Sequence, residues 1–238
     1  MRNSFIFNGI NCESLGIFVE DPIAVPIAKE RFTEKTVMGS SKVLFLPEGM
    51  EGGIPALDPV SISISCVLRS GYSIDTVARW LRGNGDLIVC GDEGHAHRAI
   101  VANQISLSKI LRARPDRRFT VEFRCEGWRY HYPPAPPLSL TSSGFINNPG
   151  TGPSEPLITV YGSGSGDLMV GSRSLLIDDM NGEISIDCDA RLAYEGTELV
   201  TNKLTRVEGW PIIPSGSCAV NWSGGITQVV IEPRWRDY

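Results

Sequence analysis

Two histidines have the spacing of a metal-ligand pair. His95 and His97 are two residues apart, so their side chains project from the same side of an extended segment. A metal site ordinarily takes three or four ligands, and no convincing third ligand is apparent nearby in the sequence beyond Asp92 and Glu93. We therefore predict a solvated turn after Gly91 and no metal site.

A glycine-rich segment, GSGSG at residues 162–166, has the composition of a phosphate-binding loop. Such a loop must lead into a helix, whose N-terminus binds the phosphate. Here Leu168, Met169 and Val170 follow, a short apolar run of the kind found in strands. The segment therefore predicts a β-turn, and no cofactor is predicted.

Two acidic pairs have the residue type that general acid and base catalysis requires. Asp178 and Asp179 precede the Asn-Gly dipeptide at residues 181–182, which is typical of hairpin turns and explains the pair by turn and capping roles. Asp187 and Asp189 share the predicted outer face of a strand, where solvent screens both charges. The sequence contains neither GxSxG nor HExxH. We predict that the protein is not an enzyme, while catalysis by residues distant in the sequence stays the open alternative.

The elements that carry these residues are mostly strands. Apolar side chains alternate with polar ones in Val60–Leu68 and in residues 119–125, 184–188 and 226–231. A helix is predicted over residues 73–81, where apolar residues recur at i, i+3, i+4 and i+7. The six cysteines form no CxxC pair, and several continue the apolar side of a strand. They are predicted to be buried, reduced thiols.

Length and charge exclude several classes of protein. A chain of 238 residues favours two domains, and a net charge of -5 offers no basic surface for nucleic acid. No apolar run approaches the roughly 20 residues that a membrane span requires. The N-terminal segment is interrupted by Asn8, Asn11 and Glu13, so no signal peptide is predicted and we expect synthesis in a bacterial cytoplasm.

The domain boundary is predicted at residues 133–137. Four prolines there lack amide donors and fix φ, which favours a stiff, extended spacer. Residues 1–132 include the helix and are predicted to form an α+β domain. Residues 138–238 contain only short strands and glycine-rich turns and are predicted to form an all-β sandwich.

Residues 39–59 place apolar side chains among glycines and prolines. The simpler interpretation is a loop that folds these apolar side chains back onto the core of its own domain, since most such residues are buried. The alternative is an arm that reaches a neighbouring subunit, because apolar loops that cannot bury themselves mark interaction sites. The arm hypothesis makes Phe45, Leu46, Met50 and Ile54 candidate contacts.

Aromatic residues cluster near the end of the chain. An exposed row of Trp210, Trp235 and Tyr238 could stack on sugar rings, so a carbohydrate-binding adhesion module on a β-sandwich is an alternative function. Core packing is the more frequent use of such residues. Trp235 lies between Arg234 and Arg236 and is expected at a surface or interface.

The order of segments along the chain resembles the distal tail proteins of siphophages. FIFNGINCESLGIFVEDP at residues 5–22, WLRGNGDLIV at 80–89 and FTVEFRCEGWRY at 119–130 resemble their N-terminal domain. EPLITVYGSGSGDLMV at residues 155–170 and IIPSGSCAVNWSGGITQVVIEPRWR at 212–236 resemble their C-terminal domain. The resemblance covers nearly the whole chain in the same order.

The resemblance implies a structural protein of the tail tip in a siphophage or prophage. Its N-terminal domains would form a ring, commonly a hexamer, with galectin-like or jelly-roll β-sandwiches at the periphery. The partners implied are further copies of the chain, the tail tube protein, the tape-measure protein terminus and a tail-tip, fibre or receptor-binding protein. The chain would be a short form without an inserted carbohydrate-binding module, and its location would be the virion tail tip.

Overall fold

A computed structural model describes residues 3–51, 53–111, 114–207 and 209–238, which are mostly β. Their contacts divide the chain into two compact units. The first unit is Met1–Gly49, Pro55–Pro133 and Tyr238, and the second is Met50–Ile54 and Pro134–Asp237. In chain order, the strands and the α-helix are β1 Phe5–Phe7, β2 Ile10–Asn11, β3 Ile17–Val19, β4 Phe32–Thr36, β5 Val43–Pro47, β6 Met50–Glu51, β7 Ile54–Pro55, β8 Val60–Leu68, α1 Ile74–Trp80, β9 Asn84–Val89, β10 His95–Val101, β11 Ser108–Leu111, β12 Arg114–Cys125, β13 Arg129–His131, β14 Leu138–Leu140, β15 Gly144–Asn148, β16 Leu157–Val170, β17 Arg173–Asp187, β18 Leu192–Glu195, β19 Glu198–Leu199, β20 Leu204–Val207, β21 Gly216–Glu232 and β22 Arg236–Asp237.

The main sheet of the first unit follows the predicted alternation of apolar side chains. Its order is β2-β1-β9-β10-β12-β8-β3, with β11 paired to β12 and β13 paired to β10. The antiparallel ladder between β8 and β12 runs from Val60↔Cys125 to Leu68↔Arg117. One face of both strands is buried, which fixes the register because a one-residue slip would expose it. The buried side chains on that face are Ile62, Ile64, Cys66, Leu68, Phe119, Val121, Phe123 and Cys125.

Helix α1 confirms the predicted helix and covers part of the same core. The Ser73 hydroxyl accepts a hydrogen bond from the Thr76 amide at the N-terminus. Val77 and Trp80 are buried, and the Trp80 indole donates to the Phe7 carbonyl at 2.9 Å. In the described part of the chain, no helix combines the length and hydropathy needed to span a bilayer.

Residues 39–59 contain strands rather than a loop folded back on its core. β5 pairs with β4 in a separate two-stranded sheet, and β6 pairs with β7 in another. Every residue of β5 is exposed, so the interpretation as a loop folded back onto the core is wrong for this strand. Its apolar side chains are exposed because, among the described residues of the first unit, no further strand pairs with this two-stranded sheet.

The second unit is an antiparallel sheet that curls around one core. Three long strands, β16, β17 and β21, run through both halves of this sheet. They are flanked by β14, β18 and β19 in one half and by β15 and β20 in the other. Ile158 and Val160 from one half of β16 share a buried cluster with Leu168 and Val170 from the other half. The two halves therefore enclose a single core, which confirms the predicted β-sandwich.

Two predicted turns of the second unit are wrong. Residues 162–166 lie inside β16, and residues 181–182 lie inside β17. The tight connection between these strands is instead formed by Gly171 and Ser172. The sequence signal was misleading because the positive φ that favours glycine in turns also occurs at bulges, as at Gly164 with φ 72°.

β16 and β21 lie too close for a side chain at a group of glycines that we call the glycine crease, formed by Gly162, Gly224 and Gly225. A Cβ atom added to Gly225 would lie 1.7 Å from the Ser163 carbonyl oxygen, and one added to Gly224 would lie 2.5 Å from the Ser165 carbonyl oxygen. The register of the β16–β21 ladder shifts at the same level. Glycine is required here because any side chain would collide with backbone.

The six cysteines form no disulfide. Five are buried as predicted, whereas Cys90 is partly exposed. Burial raises the pKa of the Cys125 thiol to about 12, and it also raises the pKa of the Cys188 thiol. Both thiols are therefore poor nucleophiles at neutral pH.

Candidate interaction surface

The clearest candidate surface is the antiparallel pair β4–β5, which we call the ribbon. Its register runs from Phe32↔Pro47 to Thr36↔Val43. Every residue of both strands is exposed, and Phe45 reaches 61% exposure. An exposed apolar strand pair of this kind is typical of an interaction site.

The two faces of the ribbon differ in chemistry. Alternation puts Phe32, Glu34 and Phe45 on one face, the aromatic face. The Phe32 and Phe45 rings meet edge to face, with centroids 5.3 Å apart. The opposite face carries Lys35 and Leu46. The aromatic face therefore presents a carboxylate beside apolar rings, and the opposite face presents an ammonium group.

The base of the ribbon is anchored to the rest of the first unit. The Arg31 amide donates to the Ala56 carbonyl at 2.7 Å, and the Glu48 amide donates to the Arg31 carbonyl at 2.9 Å. The Asp58 carboxylate accepts from Arg31 at 3.2 Å and lies 3.4 Å from the Lys29 ammonium group. The hydrogen bond from Arg31 lowers the pKa of the Asp58 carboxyl. These contacts fix the base of the ribbon to the first unit.

The four predicted contact residues are not brought together on one unit. Phe45 and Leu46 lie on the ribbon in the first unit, whereas Met50 and Ile54 are grouped with the second unit. Met50 is exposed and lines a cavity of about 200 Å³ with Arg173 and other second-unit residues. Ile54 is half-buried.

A larger cavity, which we call the Ile100 cavity, lies on the outer face of the main sheet of the first unit. Its volume is about 620 Å³, and it is lined by parts of β9, β10 and β12. Ile100 is 49% exposed there and pairs with Arg124 across the ladder. Asp86, Arg98 and Glu126 add charges at the edges. This cavity is not among the sites predicted from the sequence, although Ile100, an apolar side chain on the polar side of a strand, is a signal for it.

The predicted solvated turn at His95 and His97 is wrong for His97. This side chain is 1% exposed, and its Nε2 lies 3.2 Å from Asp92 Oδ2. His95 Nδ1 lies 2.6 Å from Asp92 Oδ1, and Arg129 Nη1 lies 3.4 Å from the same oxygen. The two rings thus share one carboxylate. Such a cluster ties β10 to the turn before it.

The protonation states of this cluster follow from burial and charge. Burial lowers the pKa of His97 despite the nearby Asp92 carboxylate, which opposes the shift. Burial would raise the pKa of Asp92, but the hydrogen bond with His95 and the surrounding positive charges hold it below its usual value. His97 Nδ1 has no hydrogen-bond partner among the described residues. The geometry therefore favours a neutral His97.

The aromatic candidates do not form an exposed row. Trp235 is only 6% exposed and belongs to the core of the second unit, so the expected surface position is wrong. It lies in the segment between β21 and β22, and its side chain packs with the apolar cluster of that core. Trp210 is partly buried against that core, and its carbonyl accepts from Arg173. Tyr238 is partly exposed, with its ring centroid 5.4 Å from that of Trp128.

Comparison with known proteins rests on structure alone. No protein-family model matches the sequence, and no curated protein matches it. The crystal structure of the SPP1 Dit protein (gp 19.1) is similar along 98% of this chain and 99% of that chain, with a TM-score of 0.66 and 11% identity. The chain has the fold of the Dit protein. This confirms, for the fold, the resemblance to distal tail proteins.

Two further structures agree with this result. The phage P2 baseplate in its activated conformation with Ca matches with a TM-score of 0.54 and 7% identity. The same baseplate with Sr matches with a TM-score of 0.56 and 7% identity. Each match covers 97% of this chain and 98% of that chain. The likeness therefore extends over both units of the fold.

Proposed function

We propose that this chain is a distal tail protein of a siphophage or prophage. In this role it is a non-catalytic structural hub that joins the tail tube to tail-tip or fibre proteins. The observation that supports the proposal is the end-to-end likeness to the SPP1 Dit protein, which is described as a hub of the adsorption apparatus in phages that infect Gram-positive bacteria. The likeness covers both units in one continuous chain, so it supports this proposal more strongly than a likeness of one domain would.

We propose that the first unit, with residues 1–132 as its domain, forms the ring, in six copies as in the resembling family. A closed ring requires contacts in which one surface of each copy meets a different surface of the next. The ribbon supports this proposal because its apolar side chains are exposed and anchored at one point. Phe45 and Leu46 are its proposed contact residues.

We propose that residues 138–238 form a peripheral domain of the virion tail tip. Met50, Ile54, Trp210 and Tyr238 stay proposed contacts with partner proteins, and the burial of Trp235 removes it from that set. The proposed partners are the tail tube, the terminus of the tape-measure protein and a tip or fibre protein. The net charge of -5 favours weak repulsion of DNA over binding.

The test is the solution mass of the purified chain, measured by light scattering and supported by electron microscopy of negatively stained particles. The parent chain is expected to form closed rings. Changing Phe45→Ser and Leu46→Ser together is expected to shift it toward monomer while circular dichroism stays unchanged. Leu199→Ser is the matched control, because Leu199 is an exposed leucine of the second unit.

Two results would count against the proposed function. A parent chain that stays monomeric at the highest attainable concentration would contradict ring formation. If the Phe45→Ser, Leu46→Ser variant unfolds or aggregates, then Phe45 and Leu46 stabilise the fold of each copy rather than a contact between copies.

A further inference from the structure

We propose that the Ile100 cavity of one copy receives the aromatic face of the ribbon of the next copy. This inference rests on the proposed ring. A head-to-tail ring needs two different, complementary surfaces on each copy. The ribbon is one of them, and the Ile100 cavity supplies an apolar floor of sufficient size for the other, at about 620 Å³.

The floor of the cavity is a sheet face, which suits a strand pair as its occupant. Ile100 pairs with Asn84 on one side and with Arg124 on the other, so the floor spans three adjacent strands. Two β-layers pack face to face through interdigitating side chains about 10 Å apart. The Phe32 and Phe45 rings of the ribbon would fill the space above Ile100. The ribbon of the same copy leaves both of its own faces exposed.

Charge selects the aromatic face over the opposite one. Arg124 is exposed and donates to the Ser61 hydroxyl at 3.3 Å, but it forms no ion pair with a described residue. Glu34 on the aromatic face is exposed and likewise has no cationic partner in the described part of the chain. Docking this face on the cavity would place the Glu34 carboxylate beside the Arg124 guanidinium. The opposite face would instead bring Lys35 toward Arg124, which is repulsive. Of the other charges that line the cavity, Arg98 and Glu126 lie 3.9 Å apart as an ion pair, and Asp86 lies on β9, across β10 from Arg124.

The test uses two charge-reversal variants. Each variant is expected to associate poorly with copies of itself but well with copies of the other variant. In Glu34→Arg the ribbon meets the native Arg124, and in Arg124→Glu the native Glu34 meets the changed cavity. Either variant alone is expected to associate about tenfold more weakly than the parent, or worse. An equimolar mixture is expected to recover the parent's mass as alternating rings, because each ribbon then faces the opposite charge. A contact within one copy could not be rescued by mixing.

Arg69→Glu is the matched control, because Arg69 is an exposed arginine that lines a different cavity of the same unit. It is expected to associate like the parent. Ile100→Ser should weaken association without unfolding the monomer, since Ile100 lies on the outer face of the sheet.

The outcomes separate this inference from the proposed function. Suppose that the parent forms a ring and the Phe45→Ser, Leu46→Ser variant is a monomer, but that the charge reversals leave association unchanged. The proposed ring is then supported, and the Ile100 cavity is not the surface that receives the ribbon. A mixture that associates no better than its components also excludes the cavity as the acceptor. A parent that never associates overturns both.

Discussion

The ribbon and the β16–β17 hairpin are both antiparallel strand pairs that carry large apolar side chains, yet they differ in whether those side chains are buried. In the hairpin, Leu168, Val170 and Leu175 are fully buried. In the ribbon, every residue is exposed, including Phe45 and Leu46. β16 and β17 lie inside a larger sheet with β21 on one side and β18 and β20 on the other, whereas β4 and β5 pair with no other strand of the described residues.

Apolar side chains such as Phe45 and Leu46 are thus exposed on a strand pair without covering neighbours, whereas Leu168 and Val170 are buried within a larger sheet. An isolated two-stranded hairpin is at best marginally stable in water. The ribbon has an aromatic contact between Phe32 and Phe45 and an anchored base, but it has no core. Its apolar residues therefore contribute little to the stability of a single copy and are available for a contact with another chain.

Two leucine truncations should give the largest difference between these regions. Leu168→Ala removes a fully buried side chain and is expected to lower the free energy of unfolding by about 2–5 kcal/mol. Leu46→Ala removes an exposed one and is expected to change it by less than about 0.5 kcal/mol in the dissociated chain. Urea denaturation followed by circular dichroism measures both. Equal losses would show that the ribbon is packed against a core.

Two glycine substitutions in the second unit should differ in how much they destabilise it, because only one of them places a side chain against the backbone. Gly225→Ala would place a Cβ 1.7 Å from the Ser163 carbonyl oxygen, so it is expected to destabilise the second unit by about 1–3 kcal/mol or more. Gly144→Ala, on β15 of the same unit, meets no atom closer than 3.9 Å and should cost little. Thermal melts of the two variants measure the effect, and similar melting temperatures would contradict the close approach at the glycine crease.

Acid should give the smallest effect, and it should act on the buried cluster of the first unit rather than on the ribbon. The pKa of His97 is lowered in the folded chain by burial, so the unfolded chain binds more protons below an unfolded pKa of about 6.5. The stability associated with neutral His97 is present above that pH and is lost as the pH falls through the lower folded pKa.

Melting temperatures measured downward from about pH 7 should therefore fall more steeply for the parent than for His97→Gln. The control is Leu199→Ser, an exposed and uncharged position of the second unit, which should keep the pH dependence of the parent. A nuclear magnetic resonance titration that gives His97 a pKa at or above about 6.5 would contradict the prediction.

The helix and the paired strands β8 and β12 could be predicted because local pattern and burial agree there. Ser73 caps the helix as its residue type suggests, and the alternation in Val60–Leu68 matches one buried face. The turn predictions at residues 162–166 and 181–182 failed, since a bulge inside a strand and a turn between strands need the same backbone freedom. Only the pairing of distant strands distinguishes them.

The candidate site could be predicted only in part. Exposure of Phe45 and Leu46 follows from the absence of covering elements, which sequence pattern alone cannot specify. The Ile100 cavity combines residues from β9, β10 and β12, and their neighbourhood depends on sheet order. The burial of His97 and Trp235 was missed for the same reason, because a flanking charge or turn signal says nothing about packing from distant segments.

The three long strands of the second unit also determine how it responds to mechanical load. β16, β17 and β21 pass through both halves of the curled sheet, so the two walls of the sandwich share the same three backbones. Because ladder hydrogen bonds lie perpendicular to antiparallel strands, a pull along these strands loads the bonds of both walls in shear. Because the same strands form both walls, one wall cannot separate from the other before the ladder hydrogen bonds break. The second unit is therefore expected to resist tension as one element and to yield in a single step.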